Sequence, residues 1–142
     1  MTTTIIVTNY FEYQQEISAI RHRVFVEEQK ITAAEVWDQR DAICQHVLIR
    51  HHGETVAAGR IDIEKSGKVG RVAVLSSVRK YGFGRRIMAA LEQQARQSKR
   101  RKGWFHAQIS AIGFYQKLGY QVVGKEFEEA GIIHRKMEKN MS

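Results

Sequence analysis

The 142-residue chain has a single cysteine, Cys44, and no proline. One cysteine excludes an internal disulfide, and with it both a disulfide-stapled secreted scaffold and a cysteine-ligated zinc site. Average usage would supply about seven prolines in this length. There is also no low-complexity tract and no internal repeat, so nothing reads as a linker. No apolar run approaches the ~20 residues of a membrane-spanning helix. Residues 1–10 hold no basic stretch followed by a long apolar one, so no secretory signal is expected and a reducing cytoplasm is. One domain over residues 1–142 is therefore expected, long enough to bury a core of its own.

What is present is ordinary for a globular chain, with 43% hydrophobic and 27% charged residues. The exception is a formal net charge of +8. Such a balance speaks to partners rather than fold, and favours phosphates, nucleic acid or anionic lipid. Periodicity predicts a strand over 3–7 and a helix over 11–27, where Tyr13, Ile17, Ile20 and Val24 recur at helical spacing. Residues 28–44 lack a clean period. Three strands follow, over 46–51, 54–64 and 68–75, separated by His52-Gly53 and Ser66-Gly67. A helix from Gly82 shows Phe83, Ile87, Leu91 and Ala95 on one stripe; the basic run 96–102 suits its end, and Gly103 is expected to stop it. Residues 104–109 read as a strand, Ser110 as the cap of a helix to Leu118, and 120–127 with 132–137 as a final hairpin. The fold class is α/β, or α+β, with a mixed, mostly antiparallel central sheet and helices on both faces.

The most informative stretch is Gly70 to Arg86. A buried strand runs into a loop with two glycines, and an amphipathic helix follows at once. A helix start of that kind turns backbone N–H groups outward and favours an anion. Glycine at 82 and 84 lets the backbone approach a phosphate closely. Arg79, Lys80, Arg85 and Arg86 set four cations around it. A Walker A loop is excluded, because Arg85-Arg86 stand where Lys-Ser/Thr is needed. A dinucleotide fingerprint is excluded too, because Ile87 replaces the third glycine.

The spacing Arg79-x-x-Gly82-x-Gly84 resembles the signature of the GCN5-related N-acetyltransferases (GNAT), and Ala111-Ile-Gly-Phe-Tyr-Gln-Lys-Leu-Gly-Tyr120 is similar to a second motif of that family. Arg21-His-Arg-Val-Phe-Val-Glu-Glu-Gln29, with Glu35, Asp38, Asp41 and His46, and later Glu128 to His134, is similar to the ElaA-like branch. The resemblance covers about residues 15–138. It implies a GNAT-like domain that binds acetyl-CoA and no metal. The pantetheine arm would lie along Val72, Ala73 and Val74, and the pyrophosphate on the loop through Arg79, Lys80, Gly82, Phe83, Gly84 and Arg85. Tyr115 would stand where the family protonates the departing thiolate. Two departures are Ser76, where many relatives have proline, and Lys80, where many have glycine.

The implied activity is transfer of an acetyl group to a primary amine of a small molecule or peptide by direct attack. An amine must be neutral to attack, so a base is needed. Glu28, Glu35, His46 and His134 are the candidates. Arg23 is a candidate acceptor-pocket residue, and 22–46 with 126–136 are expected to shape that pocket. Arg21 and Arg23 can instead pair with Glu27, Asp38 or Asp41. The alternative is a non-catalytic module on the same fold, sensing CoA or binding nucleic acid through Arg96–Lys102. Neither nucleic acid nor membrane is the expected partner, and the chain is expected to be a monomer or homodimer.

Overall fold

A computed structural model describes residues 2–141; Met1 and Ser142, the two ends of the expected domain, lie outside the described residues. Seven strands build one open sheet: β1 (Thr3–Thr8), β2 (Gln45–His51), β3 (Glu54–Asp62), β4 (Lys68–Val74), β5 (Lys102–Gln108), β6 (Gln121–Glu129) and β7 (Ile132–Asn140). They lie in the order β1-β2-β3-β4-β5-β7-β6. All neighbours are antiparallel except β4 and β5, which run parallel. This is the expected mixed, mostly antiparallel sheet. Both turn residues of the last hairpin, Ala130 and Gly131, have positive φ (53° and 76°). That twist matches the flanking strands, which therefore extend further than the apolar pattern suggests.

Helices cover both faces. Helix α3 (Phe83–Gln97) buries Phe83, Ile87, Met88, Leu91 and Ala95, the stripe read from the sequence. It can approach because β3 carries Gly59 beneath it: a Cβ there would stand 2.8 Å from Ile87 Cγ2. Arg60, the next residue, faces the opposite side, where α1 (Gln14–Arg21) and the segment after it pack. The helix expected over 11–27 is two windings in succession. After Arg21 the chain widens into a π-helical stretch, His22–Glu28. There the Gln29 amide donates to the Val24 carbonyl five residues back, 3.1 Å away. The wider turn lets the adjacent Val24 and Phe25 both face the core, which ordinary helical spacing disfavours. A short helix, α2 (Ala33–Val36), and a capped turn, Gln39–Ala42, fill the aperiodic stretch.

Lys99 ends α3, not Gly103: its φ is 62°, and the Arg100 amide reaches back to the Ala95 carbonyl at 2.8 Å. Gly103 sits inside β5, where a Cβ would stand 3.3 Å from the Tyr120 hydroxyl. Ser110 caps nothing. It lies in a tight turn, Ile109–Ala111, that leads into α4 (Ile112–Lys117) without a side-chain cap.

Candidate active site

The site begins where the sheet comes apart. The parallel strands β4 and β5 share one register pair, Lys68 with Trp104, and then diverge. Opposite, β3 pairs Arg60 with Gly70 and Ala58 with Ala73, so Arg71 and Val72 together face Gly59. This bulge bends β4 away from β5. Its strained residue is Arg71, at φ 53°. The conformation is held by the Arg71 guanidinium, which donates to the Val36 carbonyl at 2.7 Å and to Asp38 at 3.2 Å. Past the bulge the Leu75 amide bonds the Val56 carbonyl on β3. Backbone groups alternate along a strand, so those of Val74 and Val72 turn toward the opening. A cavity of about 430 Å³ fills the gap, with Val72, Phe105, His106, Tyr115, Glu129 and His134 among its lining residues.

One end of the opening meets the start of α3. Gly82 caps the helix in the left-handed region, at φ 78° and ψ 17°. The first intrahelical bond there is Arg86 to the Gly82 carbonyl. The amides of Phe83, Gly84 and Arg85 have no acceptor among the described residues, and no acid stands in the first turn. Lys80, Arg85 and Arg86 are exposed, and no carboxylate pairs with them among the described residues. Three amides and three cations with no anion of their own fit a diphosphate. A Cβ at Gly84 would meet Phe114 Cζ at 3.1 Å, so the helix start is close against α4. The Phe83 side chain is buried beside His51, leaving its amide to face outward.

Arg79 plays another part. Its Nε donates to the Val74 carbonyl at 3.1 Å, and both terminal nitrogens donate to Glu28 at 2.6 Å. The Arg79 hydrogen bonds hold the Glu28 carboxyl below its ordinary range, against a smaller opposing effect of burial. Expected in separate tasks, these two residues are joined in an ion pair. Glu28 and Arg23 line a smaller hollow with Leu75 and Ser76, not the main cavity. His46 also lies away from the cavity. It is buried on β2, donates from Nε2 to the Asp41 carbonyl at 2.9 Å, and burial lowers its pKa.

Glu35 and His134 do reach the cavity, as does Tyr115. The Tyr115 ring packs 4.4 Å from that of Phe105. Its hydroxyl has no partner among the described residues, and burial pushes its pKa up to about 12. Cys44 is no nucleophile: it is buried, and burial pushes its thiol up to about 11. The cavity wall on the α1 side is a lattice of ions. Arg21 bonds Asp41 at 2.9 and 2.8 Å, Arg60 bonds both Asp38 and Asp41 at 2.7 Å, and Arg40 bonds Asp62 at 2.7 and 2.8 Å. Pairing of Arg21 with Asp41 was one of the sequence's two options. Arg60, Arg71, His106 and Glu129 were missed. The available signal for His106 was the alternation Trp104-x-His106-x-Gln108, which puts all three on one face of β5. The Trp104 indole is committed as well: it donates to the Lys65 carbonyl and lies beneath Lys68 and Lys136.

A mixed sheet that parts between its two parallel strands, with an amide-bearing helix start beside the gap, is the arrangement expected of the family that the 79–84 and 111–120 segments resemble. Comparison with known proteins agrees. A family model described as an acetyltransferase (GNAT) domain matches residues 12–141. YyaT of Bacillus subtilis is 40% identical over 131 residues, covering 89% of this chain and 88% of that one. YjcF of the same organism, named as an N-acetyltransferase, is 38% identical over 123 residues, covering 85% and 88%. The crystal structure of Escherichia coli ElaA superposes with a TM-score of 0.85 at 24% identity, covering 98% of this chain and all of that one. The chain belongs to the GNAT family and is an acetyl-CoA-dependent N-acetyltransferase. No helix among the described residues is long and apolar enough to cross a membrane.

Proposed function

We propose that the enzyme moves an acetyl group from acetyl-CoA to a primary amine of a small molecule or peptide by direct attack, with Tyr115 as the general acid. The observation that carries this is the convergence of the parted strands, the open amides at Phe83, Gly84 and Arg85, and the unpartnered Tyr115 hydroxyl on one opening. When bound, acetyl-CoA supplies an activated thioester and a good leaving group. Phe83, Gly84 and Arg85 would hold its diphosphate by their amides, with Lys80 and Arg85 adding charge. The backbone of Val72 and Val74 would take the pantetheine arm as an added strand does, with Ala73 between them paired to β3. The Val74 N–H, turned toward the opening, would meet the oxygen that becomes negative as the amine adds.

Tyr115 would give its proton to the departing sulfur. A raised pKa keeps the phenol protonated at neutral pH and so available to donate. Two measurements test this. Calorimetry should show saturable acetyl-CoA binding. With an acceptor found by screening polyamines, amino acids, aminosugars and peptides, Tyr115→Phe should lower kcat about 100-fold with little change in acetyl-CoA affinity. Unchanged turnover in that variant would remove Tyr115 from the chemistry.

A further inference from the structure

We propose that His106 is the general base that takes the proton from the acceptor amine, with Glu129 as its positioning residue; this rests on the cavity being where amine and thioester meet. His106 and Glu129 both line the cavity that Tyr115 lines. His106 Nδ1 donates to Glu129 Oε1 at 2.9 Å. A carboxylate only accepts, so the ring proton of neutral His106 is held on Nδ1. That leaves a lone pair on Nε2, for which no protein partner exists among the described residues. An imidazole with one nitrogen fixed by a carboxylate and the other free is an oriented proton acceptor.

The surroundings fix this arrangement. Phe127 meets the His106 ring edge-on at 4.8 Å and stacks on His134 at 6.0 Å. His134 donates from Nδ1 to the Ile132 carbonyl at 2.7 Å, and its Nε2 lies 3.8 Å from the second Glu129 oxygen, beyond hydrogen-bond reach and an ion pair only when the ring is protonated. The second nitrogens of the two rings differ in what they face: that of His134 faces a Glu129 oxygen, and that of His106 has no protein partner among the described residues. Two of the other carboxylates lining the cavity, Asp38 and Asp62, serve the base role poorly. Arg60 holds Asp38 well below the usual carboxylate range, and Arg40 lowers Asp62. The charged and titratable groups facing His106 are Glu129 on β6, His134 on β7, Lys136 on β7 (the register partner of His106), and Lys68 on β4.

An ammonium acceptor gives one proton to His106 Nε2, which passes it to solvent. The neutral nitrogen forms the C–N bond as the C–S bond breaks, and Tyr115 protonates the sulfur. The second proton leaving nitrogen restores the Tyr115 phenol.

The test compares two acceptor probes with the full chain and acetyl-CoA. Propylamine is protonated at pH 7 and needs a base; hydroxylamine is largely neutral there and does not. His106→Gln should slow transfer to propylamine about 100-fold at pH 7, a loss that shrinks as pH rises, and change transfer to hydroxylamine by less than about threefold. Structural damage would slow both alike. Glu129→Gln should reproduce the same pattern more weakly. Long-range proton–nitrogen NMR should place the ring proton of His106 on Nδ1, and Glu129→Gln should scramble it. Parent-like transfer to propylamine by His106→Gln, or a proton on Nε2 in the parent, overturns the proposal. A parent that binds no acetyl-CoA overturns the reading of the cavity beneath it, so the two failures are told apart.

Discussion

The two sides of the cleft handle charge in opposite ways. On the α1 side the ions answer one another: Arg21, Asp41, Arg60, Asp38 and Arg71 form one hydrogen-bonded lattice, with Arg40 and Asp62 beside it. At the start of α3 nothing is answered: three amides and the cations of Lys80, Arg85 and Arg86 lack an internal anion among the described residues. A closed lattice fixes the shape of a wall and resists opening, because each buried ion it releases stands uncompensated. An open set of donors adds little to the fold and reserves its attraction for a ligand. Stability and binding should therefore respond to different residues.

The largest expected effect breaks the closed side. Arg60→Met removes the guanidinium that bonds Asp38 and Asp41 at 2.7 Å. It should lower stability by about 3 kcal/mol, near the bottom of the range for a broken buried pair because Arg21 still holds Asp41. That is a fall of about 10 °C in Tm. Lys80→Ala or Arg86→Ala should leave stability within about 0.5 kcal/mol and weaken acetyl-CoA binding instead. Equal loss of stability on both sides would erase the contrast.

Acid should separate the sides in the same way. Burial works to raise the Asp41 pKa, but hydrogen bonds and charge from Arg21 and Arg60 outweigh it and hold the group low. Asp38 is held low chiefly by its hydrogen bonds to Arg60. A depressed carboxylate contributes stability in full above its unfolded pKa, roughly 3.9, and loses it as pH falls through the lower folded value. Unfolding followed from pH 7 downward should show stability held to about pH 5 and falling below it, less steeply in Arg60→Met. Added salt should leave this nearly unchanged while weakening coenzyme binding at the exposed cations.

A smaller effect sharpens the open side. Gly82→Val places a branched side chain at φ 78°, with no atom within 4 Å to clash. The cost is backbone strain alone, about 1–2 kcal/mol. Tilting the helix start should weaken acetyl-CoA binding about tenfold, read by calorimetry, while Tyr115 and His106 stay in place.

These contrasts show what the sequence held. The glycine loop, the α3 stripe and the Phe114-Tyr115 segment are local patterns, and the sheet class followed from alternating elements. Pairings across the fold were not legible. Arg60 and Asp41 lie 19 positions apart, and Glu129 and His106 lie 23 apart. Nothing in spacing says that β7 inserts between β5 and β6, which is what brings His134 and Glu129 beside His106. His46 was a reasonable candidate by residue type, and only its burial beneath the Asp41 carbonyl removes it.

The smallest expected effect concerns the residue whose role the structure changed most. Arg79 opens the glycine signature, yet its side chain runs back to Glu28 and the Val74 carbonyl. It therefore joins the end of the π-helical stretch to the end of β4, rather than reaching the open amides. The pair is about two-fifths exposed on each side, and exposed pairs contribute only about 0.2–1 kcal/mol. Glu28→Gln should lower stability by no more than that and leave acetyl-CoA affinity nearly unchanged. Arg79→Gln keeps a donor for the Val74 carbonyl and should behave alike. If Arg79→Gln instead weakened binding as much as Lys80→Ala does, the Arg79 guanidinium would have to leave Glu28 for the coenzyme, and the boundary between closed and open sides would move by one residue.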